Sequence, residues 1–296
     1  MNYSFNDVFT RSSPVADAQY QVDTIYEKGS SEINEDRLLV GSDLYGVFDG
    51  ATSIDSRKLI RGTTGGALAA QIAKETFLAS EAGLFDAAVD ANRRIRLAQV
   101  GAGLNVNARH TLWTTSMAVV QILGDKLEYC QTGDALIVLL YEDGSSHFLT
   151  PEVDIDRETM VLWQKLNSNT KSEKSSIYTA LNQQIRKVRL QMNREYGVLN
   201  GEPEAVDFIH HGTQSLVGVT DILLFTDGLY LPKTDPVELS DWTTFIDLYQ
   251  RESLEGIRDK IRFMQNSDPE LTIYPRFKLH DDIAAIALSR ISPEHI

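Results

Sequence analysis

The sequence has a single cysteine, Cys130, among 296 residues. That scarcity excludes a disulfide framework and a thiolate zinc site. Its surroundings from Leu127 to Val138 are apolar, so the thiol is expected to be buried as a small apolar side chain. Positive charge is also short: 28 Lys and Arg stand against 42 Asp and Glu, a formal net charge of −14. Binding nucleic acid needs a basic face to neutralise phosphates, so that class of partner is excluded. No apolar run approaches the ~20 residues that cross a bilayer. The segment Met1 to Ala18 is polar and lacks the apolar stretch of a signal peptide. A cytoplasmic protein with no membrane partner is expected; nothing in the pattern speaks to oligomeric state. There is no internal repeat, no linker rich in Pro, Gly and Ser, no P-loop, no His-Glu-x-x-His and no Gly-x-Ser-x-Gly.

What is present is an ordinary globular balance, 42% hydrophobic and 24% charged, enough for an extensive core. One domain over 1–296 is expected. Leu38 to Val40, the turn residues Gly41-Ser42-Asp43 and Leu44 to Phe48 read as a β-hairpin. A small-residue helical pattern runs from Lys58 to Phe77, and a second helix from Leu84 to Ala98. Strands are expected over Thr114 to Ile122, Lys126 to Gln131, Ala135 to Tyr141 and His147 to Thr150, joined as successive hairpins. From Thr150 to Phe208 the pattern changes. Ile177, Leu181, Ile185, Val188 and Met192 form one helical stripe, decorated by Lys174, Arg186, Lys187, Arg189 and Arg194. Residues 151–205 therefore read as an inserted helical subdomain. Strands resume at Val206 to His210 and Asp221 to Thr226. Helices follow over Asp241 to Gln250 and Ser253 to Met264, then a strand over Ile283 to Leu288. Strands and helices in this order make an α+β sandwich rather than an alternating βαβ chain.

Acids recur where these strands begin and end: Glu35-Asp36, Asp49-Gly50, Asp227-Gly228 and Asp281-Asp282. Each alone is a common turn. Jointly they set carboxylates at the edge of a packed core, where they would repel one another unless cations neutralise them. Mg²⁺ and Mn²⁺ take oxygen ligands, and paired ions can activate water while binding phosphoryl oxygens. In the two Asp-Gly steps the glycine would also let its carbonyl swing toward a metal.

The segments Asn34-Glu35-Asp36, Val47-Phe48-Asp49-Gly50, Thr114 to Ala118, Thr132-Gly133-Asp134, Leu149-Thr150-Pro151, Leu224 to Gly228 and Asp281-Asp282-Ile283 follow one another in a known order. In that order the sequence resembles protein phosphatase 2C, the metal-dependent serine/threonine phosphatases, in the manner of a divergent bacterial member. The resemblance implies a four-layer αββα sandwich of two mainly antiparallel sheets flanked by helices. It implies Asp49 bridging two Mn²⁺ or Mg²⁺ ions, the Gly50 carbonyl on the second, and Asp227 and Asp281 completing the first. Glu35 and Asp36 would act through bound water, and Asp134 with Asp227 would hold a third, weaker ion. Asp49, Asp227, Asp281 and Glu35 are thus the expected catalytic residues. The implied reaction is hydrolysis of phosphoserine or phosphothreonine in a protein substrate by a metal-bridging hydroxide, with 151–205 as a flap beside the cleft. The basic helix from Ser172 to Arg194 would guide an acidic phosphoprotein inward.

Two positions depart from the family. The histidine proposed there as general acid after Asp-Gly is absent, because Ala51-Thr52-Ser53 follows Gly50; His280 is a substitute to weigh. Ser31 stands where a phosphate-binding arginine is common, with Lys28 and Arg37 nearby. Two other functions stay open: a non-catalytic signalling module with this fold, and a hydrolase of a small phosphorylated metabolite.

Overall fold

In the strand Leu44–Ala51 (β3), Tyr45 and Val47 belong to one apolar cluster while Leu44 and Phe48 belong to another, and all four are buried. Successive side chains of a strand face opposite ways, so β3 needs a covering layer on each side. The structure, a computed structural model, describes residues 20–51, 62–167 and 174–291, without the side chains of 174–178. It supplies both layers.

One sheet contains Arg37–Val40 (β2), β3, Thr114–Leu123 (β4), Lys126–Thr132 (β5) and His210–Ser215 (β8), paired in the order β2-β3-β4-β5-β8. The other contains Tyr20–Glu27 (β1), Leu136–Tyr141 (β6), Ser146–Phe148 (β7), Val219–Phe225 (β9) and Ile283–Arg290 (β10), in the order β1-β10-β9-β6-β7. Every pairing within the two sheets is antiparallel. Between the sheets Val47, Ala118 and Val120 meet Ile137, Leu224 and Ile286. The outer face of the first sheet is covered by the helices Gly65–Ala79 (α1) and Leu84–Gly101 (α2), whose alanines pack with Phe48 and Met117. The outer face of the second is covered by Trp242–Asn266 (α5), through Phe245, Tyr249, Ile257 and Ile261. Helix, sheet, sheet, helix is the four-layer α+β architecture that the sequence led us to expect.

Three local readings change. Lys126 to Gln131 and Ala135 to Tyr141 do not form a hairpin, because the chain crosses between sheets at Gly133-Asp134 and β5 pairs with β8 instead. Alternation marks a strand but not its neighbour. Val206 to His210 is not a strand: Pro203–Phe208 is a 3-10 turn, and Pro203 stands in the first turn, where a missing N–H costs nothing. Strand β1 was not foreseen, since at an edge only Ile25 of its eight residues is buried. The start expected for the first helix, from Lys58, partly falls on residues outside those described; α1 begins after Thr64, whose hydroxyl accepts from Ala67 N. The two helices expected between Asp241 and Met264 are found, together spanning α5 and separated by a kink at Ser253, which has φ 61°.

Within 151–205 the chain forms two helices, Arg157–Asn167 (α3) and Lys174–Arg189 (α4). Beyond α4, Met192, Tyr196 and Val198 gather with Val188 into a small cluster of their own. Among the described residues no helix is long and apolar enough to cross a membrane.

Candidate active site

The aspartates are positioned by backbone that has no room to move. A Cβ on Gly50 would lie 2.4 Å from the Gly66 carbonyl oxygen, and one on Gly228 would lie 1.8 Å from that of Asp282. Both Asp-Gly steps thus use glycine for close backbone approach, at the N-terminus of α1 and at the start of β10. That is a packing reason, where the sequence suggested carbonyl freedom.

Asp49 lies near the end of β3, opposite Ser116 on β4. Ser116 Oγ donates to Asp134 Oδ1 at 2.6 Å, which ties the crossover between sheets to the same spot. Asp227 follows β9, and its side chain stands close to that of Asp49 in the same cavity. Asp281 precedes β10, and its Oδ1 accepts from Lys278 Nζ at 2.7 Å and from Asp282 N at 2.8 Å. Asp282 is the staple beneath: its carboxylate accepts from Gly29 N at 2.8 Å and from Glu35 N at 2.9 Å. Asp36 is 2% exposed and accepts from Thr226 Oγ1 at 2.8 Å. Glu35 is buried and accepts a hydrogen bond from the hydroxyl of Thr64, the residue that caps α1.

Asp49, Gly50, Asp134, Asp227 and Asp281 line one cavity of about 470 Å³. Asp36 stands behind them within their field, and Glu35 does not line the cavity. Burial, followed by the charges of Asp36 and Asp227, pushes the Asp49 carboxyl well up. Burial and the charges of Asp281 and Asp134 do the same to Asp227. Asp36 is pushed up to about 8 by burial; the bond from Thr226 opposes this, and the charges of Asp281 and Asp282 add to it. Carboxyls held this high mark a cluster short of positive charge.

Sequence reasoning missed four residues of the same cavity. Asp156 is raised to about 7 by burial and by Asp134 and Asp281. As an acid just before α3 it reads as an ordinary helix-start residue, and its carbonyl does accept from Met160 N. Asn182 of α4 also lines the wall. Arg189 is one of the basic residues expected to decorate the outside of the helix. It is instead 7% exposed, lines the cavity, and donates to the carbonyls of His110 at 3.0 Å and Leu112 at 2.9 Å. Lys278 had no signal beyond standing three residues before Asp281. Burial works against its charge, but Asp281, then Asp282 and Asp49, outweigh that and hold its ammonium above the usual lysine range.

The weighed substitutes fall elsewhere. His280 does not line the cavity; its ring nitrogen pairs with Asn266 Oδ1 at 2.9 Å. Arg37 is spent on Gln71 at 2.7 Å and on the carbonyls of Asn34 and Asp36, and Lys28 reaches the Glu32 carbonyl. Thr52 and Ser53 lie outside the described residues.

Among the described residues, no group of three or more His, Cys, Asp or Glu side chains is closed around a point that could hold a metal ion. The donor set nonetheless suits a hard divalent cation: it is all oxygen, and such ions keep several waters and take only one or two carboxylates each.

The fold is the one seen in solved serine/threonine phosphatases. No protein-family model and no curated protein matches the sequence. Among solved structures, the chain is similar to the catalytic domain of the serine/threonine protein phosphatase PstP in complex with two manganese ions. Identity is 16%, covering 93% of this chain and 100% of that one, with a TM-score of 0.57. It is similar to PppA, a regulatory component of the T6SS in Pseudomonas aeruginosa, at 14% identity over 92% of this chain and 98% of that one, TM-score 0.56. A third is Stp1 from Staphylococcus aureus, at 14% identity over 95% and 100% of the two chains, TM-score 0.55. At these identities the likeness is one of fold.

Proposed function

We propose that the protein is a metal-dependent phosphomonoester hydrolase acting on phosphoserine or phosphothreonine in proteins. The observation that carries this reading is the convergence of Asp49, Asp134, Asp227 and Asp281, from the ends of strands in both sheets, on one cavity. Asp49, the Gly50 carbonyl, Asp227 and Asp281 would hold two Mn²⁺ or Mg²⁺ ions, Asp134 a weaker third, and Asp36 and Glu35 would act through bound water. When bound, such ions neutralise phosphoryl oxygens and make a nucleophile of water near neutral pH.

The chain's own residues do the rest. Ser116 and Thr226 fix Asp134 and Asp36 by hydrogen bonds, so these carboxylates need not reorganise as charge develops. Asp156, titrating at about 7, keeps a proton near neutrality and can deliver it from its carboxyl to the departing serine or threonine oxygen. His280 lies elsewhere and does not fill that role. Residues 151–205 act as the flap, with Ile185, Val188 and Met192 as an apolar wall facing the carboxylates.

Purified protein should cleave p-nitrophenyl phosphate with Mn²⁺ and lose that activity in EDTA. Phosphopeptides should be better substrates than sugar phosphates or nucleotides. A preference for the small metabolites would overturn the protein-phosphatase reading, and full activity in EDTA would overturn the metal.

A further inference from the structure

Six carboxylates stand in or behind the cavity, yet among the described residues lining it only Arg189 and Lys278 are cations. Their situations differ. Arg189 is almost wholly buried, and its guanidinium donates to the backbone carbonyls of His110 and Leu112. It fastens α4 to the segment before β4. Lys278 is 24% exposed and its Nζ meets one carboxylate, Asp281 Oδ1, at 2.7 Å. Asp281 is the same carboxylate that the proposed function assigns to a metal.

A lysine ammonium is a compact charge on a flexible stem, and a carboxylate oxygen that takes a divalent cation at bonding distance has a stronger partner than an ammonium. The displaced ammonium does not leave the field, since Asp282 and Asp49 also attract it. Among the described residues it would then be the one mobile cation at the cavity, with no carboxylate of its own.

We infer that Lys278 is the phosphate-binding residue of this cavity, held by Asp281 until a divalent cation displaces it and then free to donate to a phosphoryl oxygen. The inference rests on the metal reading proposed above, and it assigns Lys278 two opposed effects. The side chain competes with the metal and assists the phosphate.

The test is calorimetric, on the full chain, with Mn²⁺ alone and then with inorganic phosphate on the Mn²⁺-loaded protein. Lys278→Met should bind Mn²⁺ about fivefold more tightly than wild type, the upper range for a partly exposed ion pair. It should bind phosphate about tenfold more weakly, the worth of a charge-assisted hydrogen bond. Lys278→Arg, which keeps the charge, should restore phosphate affinity and so exclude a folding defect. Wild type that takes Mn²⁺ while Lys278→Met matches it in both titrations overturns this inference alone, as does a change in only one of the two. Wild type that takes no Mn²⁺ overturns the metal reading and this inference with it.

Discussion

The two walls of the cavity are built on opposite principles. On one side Asp49, Asp134, Asp227 and Asp281 stand on strand ends of a doubly buried sandwich, fixed by glycines that allow no Cβ and by bonds from Ser116 and Asp282. On the other side, 151–205 supplies Ile185, Val188 and Met192 with a four-residue cluster of its own. That wall is tied to the body by Arg109 to Glu202, by Arg189 to two carbonyls, and by a backbone bridge between Leu199 and Thr115 that buries Leu199 in the main core. The comparison points to a division of labour: on the proposed function, the chemistry would stand on the strand ends and the substrate would meet the wall from 151–205. The first wall is costly to keep, because buried carboxylates repel.

The largest effect should come from the first wall. Asp49→Asn should reduce phosphatase activity by about a thousandfold in a p-nitrophenyl phosphate assay with Mn²⁺, the scale of losing a group that organises charge in the transition state. A loss of only a few-fold would break the comparison, since it would detach chemistry from the strand ends.

Asp156 sharpens it, being among the described residues the one carboxylate that the second wall sends into the cavity. Asp156→Asn should lower kcat for a phosphoserine peptide about tenfold to a hundredfold. It should leave p-nitrophenyl phosphate nearly unchanged, since that leaving group needs no proton. Equal losses on both substrates would make Asp156 a structural residue.

The loop between the walls gives a stability measurement. Asp268 accepts from Thr272 N and Tyr274 N, both at 2.9 Å, and from Arg276 at 2.8 Å, shaping the turn that carries Lys278 and Asp281. Burial would raise its pKa, but these donors outweigh it and hold the carboxyl down at about 2, against an ordinary 3.8. A depressed acid stabilises the fold above its unfolded pKa, and the benefit drains away as pH falls through 3.8 toward 2. At neutral pH the shift corresponds to about 2 kcal/mol. Asp268→Asn should therefore lower chemical-denaturation stability by about that amount at pH 7 and by much less at pH 2.5. A loss that is the same at both pH values would contradict the charge argument.

The smallest effect should come from the outer face of α4. Arg186 contacts His110, Lys187 pairs with Glu158 at 3.2 Å, and both are exposed. Reversing both to glutamate should raise KM for a phosphoprotein about threefold, as exposed charges are well screened. It should leave p-nitrophenyl phosphate unaffected. Arg189 does not belong in that experiment, because its guanidinium is buried.

The fold was legible where alternation is strong. Leu44 to Phe48, Thr114 to Ile122 and Ile283 to Leu288 are apolar runs bounded by turn residues, and they are strands of the sandwich. Pairing was less legible, because the partner of β5 is set by how two sheets stack and not by its own pattern. The aspartates beside glycine were visible because strand ends punctuate a sequence. Asp156, Arg189 and Lys278 were not, since each lies in a segment whose local pattern has a plainer explanation: a helix start, a basic helix face and an irregular loop. Only the meeting of three distant segments reveals them as neighbours.

The central claim is that these carboxylates form a cation site, and calorimetric titration of metal-free protein with Mn²⁺ at pH 6 and pH 8 tests it directly. Asp36 at about 8, with Asp49 and Asp227 also raised, must give up protons before the cluster can take metal. The account requires binding of about two ions, tighter at pH 8 than at pH 6, with protons released to the buffer and binding lost in Asp49→Asn. Binding that is absent at both pH values, or unchanged by Asp49→Asn, would contradict it.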